Sequence, residues 1–336
     1  MTKNKVGTQT LNFFTTPVIK SWASIVGPME GQGPLRDYFD MILENNLNKG
    51  DKSWESTEQK LMQHSMEIAL EKVGLQPSNL DFYFAGDLLN QIISANFTAR
   101  FLSVPFFGLY GACSTLAEGL ALSSILIDGG YADRVGLSAS SHHESAERQL
   151  RYPTELGVQR QMTGQWTVTG GGSYVLESQG QGITITAATI GKIIDRGATN
   201  SNDMGTAMAP AAYDTIMANL KDLGRKITDY DLVITGDLGV LGLSVLKKLL
   251  EQDGYPPHNV SDCGVLIYRA DQDTHSGGSG CGCSAVVLNY LLQKMLDGKY
   301  RRIFLIGTGA LLSPTSAFQG ETIPCIGHGV VLEYNS

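Results

Sequence analysis

The sequence predicts an α/β protein made of two similar halves. Helix-like and strand-like segments alternate along the 336 residues, and two short motifs occur in the same order in each half. Alternation of this kind favours βα units with parallel strand pairing. The strand-like segments are short apolar runs, which suit strands buried on both faces. We therefore predict two α/β halves, residues 1–180 and 181–336, that face one another.

The first motif is an aspartate followed by four mostly apolar residues and Gly-Asp-Leu. It occupies residues 81–88, in a strand-like segment that follows a helix-like segment from Trp54 to Val73. It recurs at residues 231–238, in a strand-like segment that follows a helix-like segment from Pro210 to Leu223. Each copy therefore ends a predicted helix and strand unit.

The second motif, Asp-Gly-x-Tyr, places a glycine just past a helix end, where a left-handed residue is favoured. It joins the helix-like residues 114–127 to the strand-like residues 134–138, and later joins residues 284–296 to residues 302–306. The polar segment Ser140 to Thr169 lies in the first half, between the motifs of the two halves, and we predict it to be a long functional or interface loop. Its basic residues are His142, His143, Arg148, Arg151 and Arg160.

Composition excludes several classes of protein. The net charge is -8, and no window combines clustered Lys and Arg with aromatic residues, which argues against a nucleic-acid partner. We predict no secretory signal and no transmembrane segment, because no apolar run reaches the ~20 residues that a membrane helix needs. Five cysteines, an odd number, argue against a disulfide framework and for a reducing compartment. Their spacing is a weak match to a zinc site, even with His275 included, and we expect no metal.

Cys113 is the first candidate for chemistry. It lies in Gly-Ala-Cys-Ser-Thr, between the strand-like residues 106–110 and a predicted helix that starts at Ser114. Free backbone N–H groups and the helix dipole at such a turn favour the thiolate. The alternative is a small buried cysteine that fills a tight corner.

The second half contains two further candidate motifs. His275 precedes the glycine-rich residues 276–284, and Cys325-Ile-Gly-His-Gly precedes an apolar run near the C-terminus. Glycines beside reactive side chains allow close approach of the backbone. The glycine-rich loop lacks the Gly-Lys-Ser/Thr ending of a P-loop, so we do not predict a nucleotide phosphate site.

With these three motifs the sequence resembles the thiolase superfamily, which includes the ketoacyl synthases. The resemblance implies a duplicated, layered αβαβα fold with a cysteine nucleophile on a strand-to-helix turn, here Cys113. It also implies a histidine before a Gly/Ser-rich helix start, matched by His275, and a Cys-x-Gly-x-Gly motif, matched by Cys325. Thiolases have Asn-Glu-Ala-Phe where this chain has Gly-Asp-Leu-Gly at residues 236–239, and proline where it has Ser276.

Within that superfamily, five stretches resemble stage V sporulation proteins of spore-forming bacteria. The resemblance implies a protein without thiolase activity that binds dipicolinic acid and is peripheral on the spore inner membrane. Implied partners are other stage V sporulation A membrane proteins, and the resemblance to thiolases implies, by analogy, a homodimer. No cofactor is implied apart from calcium as a complex with dipicolinate. The stretches are residues 111–115, 151–155, 203–210, 277–285 and 309–314.

A pocket built to hold an oxyanion also suits a carboxylate, because helix N-termini donate hydrogen bonds to anions. The residues that we predict to bind the ligand are Cys113, Ser114, Asp237, His275, Gly278, Ser279, Gly280, Cys325 and His328.

Two alternatives remain open on sequence alone. One is an acyltransferase with Cys113 as nucleophile, His275 as activator and Cys325 as proton donor or base. The other is a structural subunit with a vestigial pocket.

Overall fold

A computed structural model describes residues 4–150 and 161–334. The strands are β1 (Lys5–Val6), β2 (Thr10–Asn12), β3 (Val18–Val26), β4 (Met41–Ile42), β5 (Phe82–Gly86), β6 (Phe106–Gly108), β7 (Arg134–Ser141), β8 (Trp166–Thr167), β9 (Gly170–Glu177), β10 (Ile183–Thr189), β11 (Leu232–Thr235), β12 (Val260–Asp262), β13 (Gly278–Ser279), β14 (Arg302–Ala310) and β15 (Cys325–Tyr334). The α-helices are α1 (Trp54–Glu71), α2 (Ile93–Leu102), α3 (Thr115–Asp128), α4 (His143–Leu150), α5 (Met204–Leu223), α6 (Gly239–Gln252), α7 (Cys263–Leu266), α8 (Cys281–Leu296) and α9 (Pro314–Phe318). Within these residues, no helix is both long and apolar enough to cross a bilayer.

The main sheet contains the same five-stranded arrangement twice. Its strands follow the order β12-β11-β14-β15-β10-β3-β9-β7-β5-β6, so β10 and β3 join two sets. In each set the second strand along the chain pairs in parallel with the third and fourth, as β5 does with β6 and β7, and β11 with β12 and β14. The fourth strand of each set pairs antiparallel with the fifth. The predicted repeat is therefore confirmed at the level of sheet topology.

The helices complete five layers. The central helices α3 and α8 contact each other and lie between the two sets of strands, since α3 packs on both β7 and β14. The outer helices α1 and α2 cover the first set, and α5 and α6 cover the second. These contacts confirm the predicted αβαβα architecture.

The aspartate that opens the first motif has the same structural role in both halves. An Oδ2 atom of Asp81 accepts hydrogen bonds from the backbone N–H groups of Asp133 (2.8 Å) and Arg134 (2.9 Å). The Oδ2 atom of Asp231 accepts them from Arg301 (2.7 Å) and Arg302 (2.8 Å). Each aspartate therefore ties its own strand to the turn that follows a central helix.

Several predicted boundaries are wrong. The segment 140–169 is not one long loop, because it contains the end of β7, all of α4 and β8; Arg151 and Arg160 lie outside the described residues. Helix α5 begins at Met204 and includes Pro210, because the side chain of Asp203 caps it by accepting from the N–H of Thr206 (3.3 Å). Helix α8 begins three residues earlier than predicted, at Cys281.

Candidate functional site

A strained turn between β6 and α3 holds Cys113. Ala112, in the 3₁₀ turn before α3, has φ +49°, a left-handed conformation that costs an alanine about 1 kcal/mol. The hydroxyl of Ser114 donates to the carbonyl oxygen of Gly111 (2.6 Å) and so fixes the turn. Strand β14 passes close by, since a Cβ atom added at Gly309 would lie 2.5 Å from that same carbonyl oxygen. The position of Cys113 therefore depends on the absence of a side chain on the neighbouring strand.

Cys281, from the second half of the chain, stabilises the same turn. Its thiol donates to the carbonyl oxygen of Ala112, with a sulfur to oxygen distance of 3.0 Å. The side chain is fully buried at the first position of α8. This hydrogen bond thus joins the starts of α3 and α8, one from each half, at the residue that precedes Cys113.

Asp237, which follows β11, lies beside Cys113 with 1% of its surface exposed. Its Oδ1 atom accepts from the hydroxyl of Thr308 (2.7 Å), and its Oδ2 atom accepts from the N–H of Gly280 (3.2 Å). Burial raises the pKa of Asp237 to about 6, and the hydroxyl of Thr308, the nearby thiol of Cys113 and the N–H of Gly280 oppose the rise. The carboxylate therefore remains mostly ionised at neutral pH.

Burial raises the pKa of the Cys113 thiol well above its usual value, and the negative charge of Asp237 raises it further. The N–H of Gly280 acts in the opposite direction, but its effect on the thiol pKa is smaller than that of burial or of Asp237. The expectation of a thiolate at this helix start is therefore wrong. Removal of the sulfur from water outweighs the favourable backbone field, and a carboxylate replaces the positive partner that a reactive cysteine needs.

A cavity of about 450 Å³ opens beside Cys113. Its apolar walls come from α4, the start of α5 and the end of β14, and hydroxyl groups are spread around it. The apolar lining residues among those described are Leu88, Ala112, Ala146, Leu150, Met204, Ala310, Leu311 and Leu312. The polar ones are Tyr110, Glu147, Thr167, Ser201, Ser279, Ser313 and Ser316, together with Cys113 and Gly280.

The structure brings some of the predicted ligand residues together. Cys113, Ser279 and Gly280 line the cavity, and Asp237 and Ser114 lie buried behind it. Gly278 does not line the cavity, and a Cβ atom added to it would meet the buried side chains of Ile267 and Val168.

His275 lies on a different part of the surface. Its Nδ1 atom is 3.0 Å from the carbonyl oxygen of Gln161, and its Nε2 atom is 3.2 Å from the carboxylate of Asp273. With φ +51°, it occupies a left-handed position in the loop before β13. His275 therefore contributes nothing to the lining of the cavity.

Cys325 and His328 belong to β15 and are buried in the second half. The Cys325 thiol donates to the carbonyl oxygen of Ile323 (3.5 Å), and burial raises its pKa to about 12. His328 accepts a hydrogen bond at Nδ1 from the N–H of Gly191 (3.3 Å), and burial lowers its pKa to about 4. The histidine is therefore neutral at pH 7, and neither side chain lines the cavity.

Sequence reasoning missed most of the hydroxyl groups around the cavity. Ser201, Thr167 and Ser316 come from three separate segments, and no spacing along the chain connects them. The available signal was the resemblance of residues 203–210 and 309–314 to the sporulation proteins, because both stretches border the cavity. Among the described residues, no group of three or more His, Cys, Asp or Glu side chains is arranged to hold a metal ion.

Comparison with known sequences gives two consistent results. The sequence model of a family described as Stage V sporulation protein AD (SpoVAD) matches residues 7–333. A Stage V sporulation protein AD of Bacillus subtilis (strain 168) is 47% identical over 329 residues, which are 97% of this chain and 97% of that protein.

Solved structures share the fold at much lower identity. A 3-oxoacyl-[acyl-carrier-protein] synthase III from Aquifex aeolicus VF5 has a TM-score of 0.61 at 15% identity, and covers 95% of this chain and 100% of its own. OleA from Xanthomonas campestris has a TM-score of 0.61 at 13% identity, with 96% and 99% covered. At this identity the likeness establishes the thiolase-like fold alone.

Proposed function

The chain belongs to the stage V sporulation protein AD family, and from that membership and the cavity beside Cys113 we propose that it binds dipicolinic acid without catalysing a reaction on it. The ligand is dipicolinate itself or its calcium complex. The proposal includes association with other stage V sporulation A membrane proteins at the inner membrane of the developing spore.

The observation that carries this proposal is the combination of apolar walls and hydroxyl groups in one cavity. Its volume of about 450 Å³ falls in the range of small-molecule sites. Dipicolinate is a planar aromatic ring with two carboxylates, so it needs flat apolar contacts and hydrogen-bond donors at two ends. Ser279 and Thr167 are neighbours in the β13–β8 pair, whereas Ser313 and Ser316 belong to the segment around α9. Hydroxyl groups at separate places fit that requirement.

Acyl transfer by Cys113 is the alternative, and the geometry favours it less. No histidine is among the described residues that line the cavity, and the charged group that acts on the thiol is the carboxylate of Asp237, which raises the thiol pKa. A cysteine nucleophile needs a neighbouring base or positive charge that promotes the thiolate. The acyltransferase would regain support if mass spectrometry detected an acyl group on Cys113 after incubation with acyl-CoA.

We expect the purified protein to bind dipicolinate saturably in a calorimetric titration, with and without calcium. Benzene-1,3-dicarboxylate, which has the same charge but no ring nitrogen, is expected to bind more weakly. Ser201 lies in a half-buried turn on the cavity, so Ser201→Trp should fill the cavity and weaken dipicolinate binding by about tenfold or more, the equivalent of about 1.4 kcal/mol.

The matched control is Ser244→Trp. Ser244 is an exposed serine on α6, away from the cavity, and this variant should bind as the wild-type protein does. Absence of binding, equal binding of the benzene dicarboxylate, or full affinity of a folded Ser201→Trp protein would each overturn the proposed site.

We also propose a homodimer that forms through the free edge of the sheet. Among the described residues, strand β6 ends the strand order and pairs with β5 alone. Phe97, Phe101 and Phe107 are exposed on β6 itself and on the neighbouring helix α2. An unpaired edge strand with exposed aromatic residues is a surface suited to pairing with a second copy.

Light scattering after size exclusion should then give twice the 36.2 kDa of one chain. Phe101→Asp should shift the protein towards the monomer, because it buries a charge in the contact. Phe318→Asp, at another exposed phenylalanine, is the control and should leave the mass unchanged. A monomeric wild-type protein at micromolar concentration would refute the dimer.

A further inference from the structure

The connection between β14 and β15 forms one wall of the cavity. It supplies Leu311, Leu312, Ser313 and Ser316 to the lining. Helix α9 lies within residues 313–321 of this connection, and none of those residues is buried. Part of the cavity wall is therefore a surface segment that contributes nothing to the hydrophobic core.

Within the part of the chain that the structure describes, residues 313–321 are hydrogen-bonded only to one another. The hydroxyl of Ser313 accepts from the N–H of Ser316 (3.1 Å), and the hydroxyl of Ser316 accepts from the N–H of Ser313 (3.0 Å). The N–H groups of the last three residues donate to carbonyl oxygens in α9. A segment whose hydrogen bonds are all internal can move as one unit without breaking any of them.

The two ends of this segment are fixed to the rest of the fold. The N–H of Leu311 donates to the carbonyl oxygen of Pro324 (2.8 Å), and the N–H of Ile323, which is buried, donates to that of Ala198 (2.7 Å). Between α9 and this base, Gly320 has φ +78°, and a Cβ atom added to it would have no neighbour within 4 Å. A left-handed glycine in open space, next to a fixed base, is suited to be a hinge.

The hydroxyl groups of the cavity consequently form a fixed set and a movable set. Thr167 and Ser279 belong to the β8–β13 pair and are buried, whereas Ser313 and Ser316 belong to the surface segment. A ligand with an acceptor group at each end can contact both sets when the segment is close and only one set when it is away. Such a ligand binds the closed form more tightly and so shifts the population towards it.

We infer that residues 313–321 are a lid that moves as one unit and closes over the cavity when a ligand with acceptor groups at both ends occupies it. Dipicolinate, with two carboxylates, is such a ligand, and its choice rests on the proposed function. Two of the tests use no dipicolinate, so a failure of the lid and a failure of dipicolinate binding are separate results.

The first test is limited proteolysis of the full-length protein by chymotrypsin without ligand. Phe318 in the lid is 73% exposed, and Tyr131 and Phe14 elsewhere are 74% and 66% exposed. The backbone at those two sites is held, because the N–H of Phe14 donates to Asp128 (2.9 Å) and the N–H of Tyr131 donates to the carbonyl oxygen of Leu126 (2.9 Å). Cleavage follows local opening, so we expect it to be about tenfold faster after Phe318. Equal rates at the three sites, measured by mass spectrometry, would overturn the lid.

The second test adds saturating dipicolinate. We expect cleavage after Phe318 to slow about tenfold and cleavage after Tyr131 to stay unchanged, because closure lowers the population of the open lid. Gly320→Ala strains the hinge and should reduce this protection. Gly298→Ala is the matched control, since Gly298 has φ +77° and equally open surroundings at the end of α8, and it should protect as the wild-type protein does. Calorimetric binding without protection of Phe318 would overturn the lid.

The third test decides the lid even if calorimetry shows no dipicolinate binding and the proposed function fails. In this variant Gly-Gly-Ser replaces residues 314–320, which a short turn can bridge because Leu311 and Pro324 are hydrogen-bonded neighbours. Cys113 lines the cavity with 8% of its surface exposed, and we expect its labelling by N-ethylmaleimide at about pH 8 to become about tenfold faster without the lid. Unchanged labelling in the folded variant would mean that residues 314–320 do not cover the cavity. If the variant does not fold, proteolysis of the wild-type chain decides.

Discussion

Gly309→Ala is expected to destabilise the protein by about 2 kcal/mol or more and to abolish most dipicolinate binding. The added Cβ atom would lie 2.5 Å from the carbonyl oxygen of Gly111, a contact with backbone that no side-chain rotation relieves. That carbonyl accepts from both the hydroxyl and the N–H of Ser114, so the turn that carries Cys113 must move. Urea denaturation measures the stability, and calorimetric titration measures the affinity.

Gly236→Ala is the matched control for this substitution. Gly236 precedes Asp237 at the same site, but a Cβ atom there would have its nearest neighbours at 3.5 Å, which is ordinary van der Waals contact. We expect its free energy of unfolding to change by less than about 1 kcal/mol. Equal stability of the two variants would show that β14 and the Cys113 turn can separate without cost.

The free energy of unfolding is expected to fall as the pH rises from about 5 to about 8. Burial raises the pKa of Glu30 and of Asp262 to about 7, and those of Asp87 and Asp237 to about 6. The unfolded chain releases these protons near pH 4 to 4.5, so between the unfolded and folded values the folded protein binds more protons. The stability that these four buried acids contribute is therefore fully present below their pKa values in the unfolded chain. It is lost as the pH rises through their pKa values in the folded protein.

Glu30→Gln should remove one large part of this dependence. The Oε1 atom of Glu30 accepts from Tyr268 and from the N–H of Thr169 (3.1 Å), while its buried Oε2 atom has no donor among the described residues. A shift of the pKa from 4.5 to about 7 corresponds to about 3 kcal/mol of stability. The free energy of unfolding of the variant should therefore change with pH by about that much less than that of the wild-type protein.

Urea denaturation at each pH measures these curves. Glu251→Gln, at the exposed end of α6, is the control for loss of one acidic side chain. A slope in Glu30→Gln equal to that of the wild-type protein would mean that Glu30 is ionised in the folded state.

The fold was predictable because its signals are local. The two Gly-Asp-Leu motifs and the two Asp-Gly-x-Tyr motifs each lie within one helix and strand unit, where the order of residues determines turn and cap. Asp81 and Asp231 are in equivalent positions for this reason. The predicted start of α5 was wrong because its capping residue, Asp203, lies ahead of the apolar run on which the prediction was based. Helix α4 was predicted as a loop because it is polar and has little apolar periodicity.

The site was predictable only in part. Three of the predicted ligand residues, Cys113, Ser279 and Gly280, line the cavity. Their positions could be predicted because each lies next to the end of a strand or the start of a helix. His275 resembles a catalytic histidine in sequence, yet it bonds to Gln161 and Asp273 outside the cavity. The path of the loop that carries His275 depends on its packing against the rest of the protein, and a local sequence motif does not determine that packing.

The sequence by itself determined the duplicated α/β fold, the family and the place of Cys113 at a helix start, because these depend on order along the chain. The tertiary structure alone decided which hydroxyl groups share the cavity and which side chain faces the thiol. Thr167, Ser201 and Ser316 meet only because the two halves pack together. The protonation of Cys113 likewise depends on burial and on Asp237 from the opposite half, since removing a charge from water beside a like charge costs more than a helix N-terminus provides.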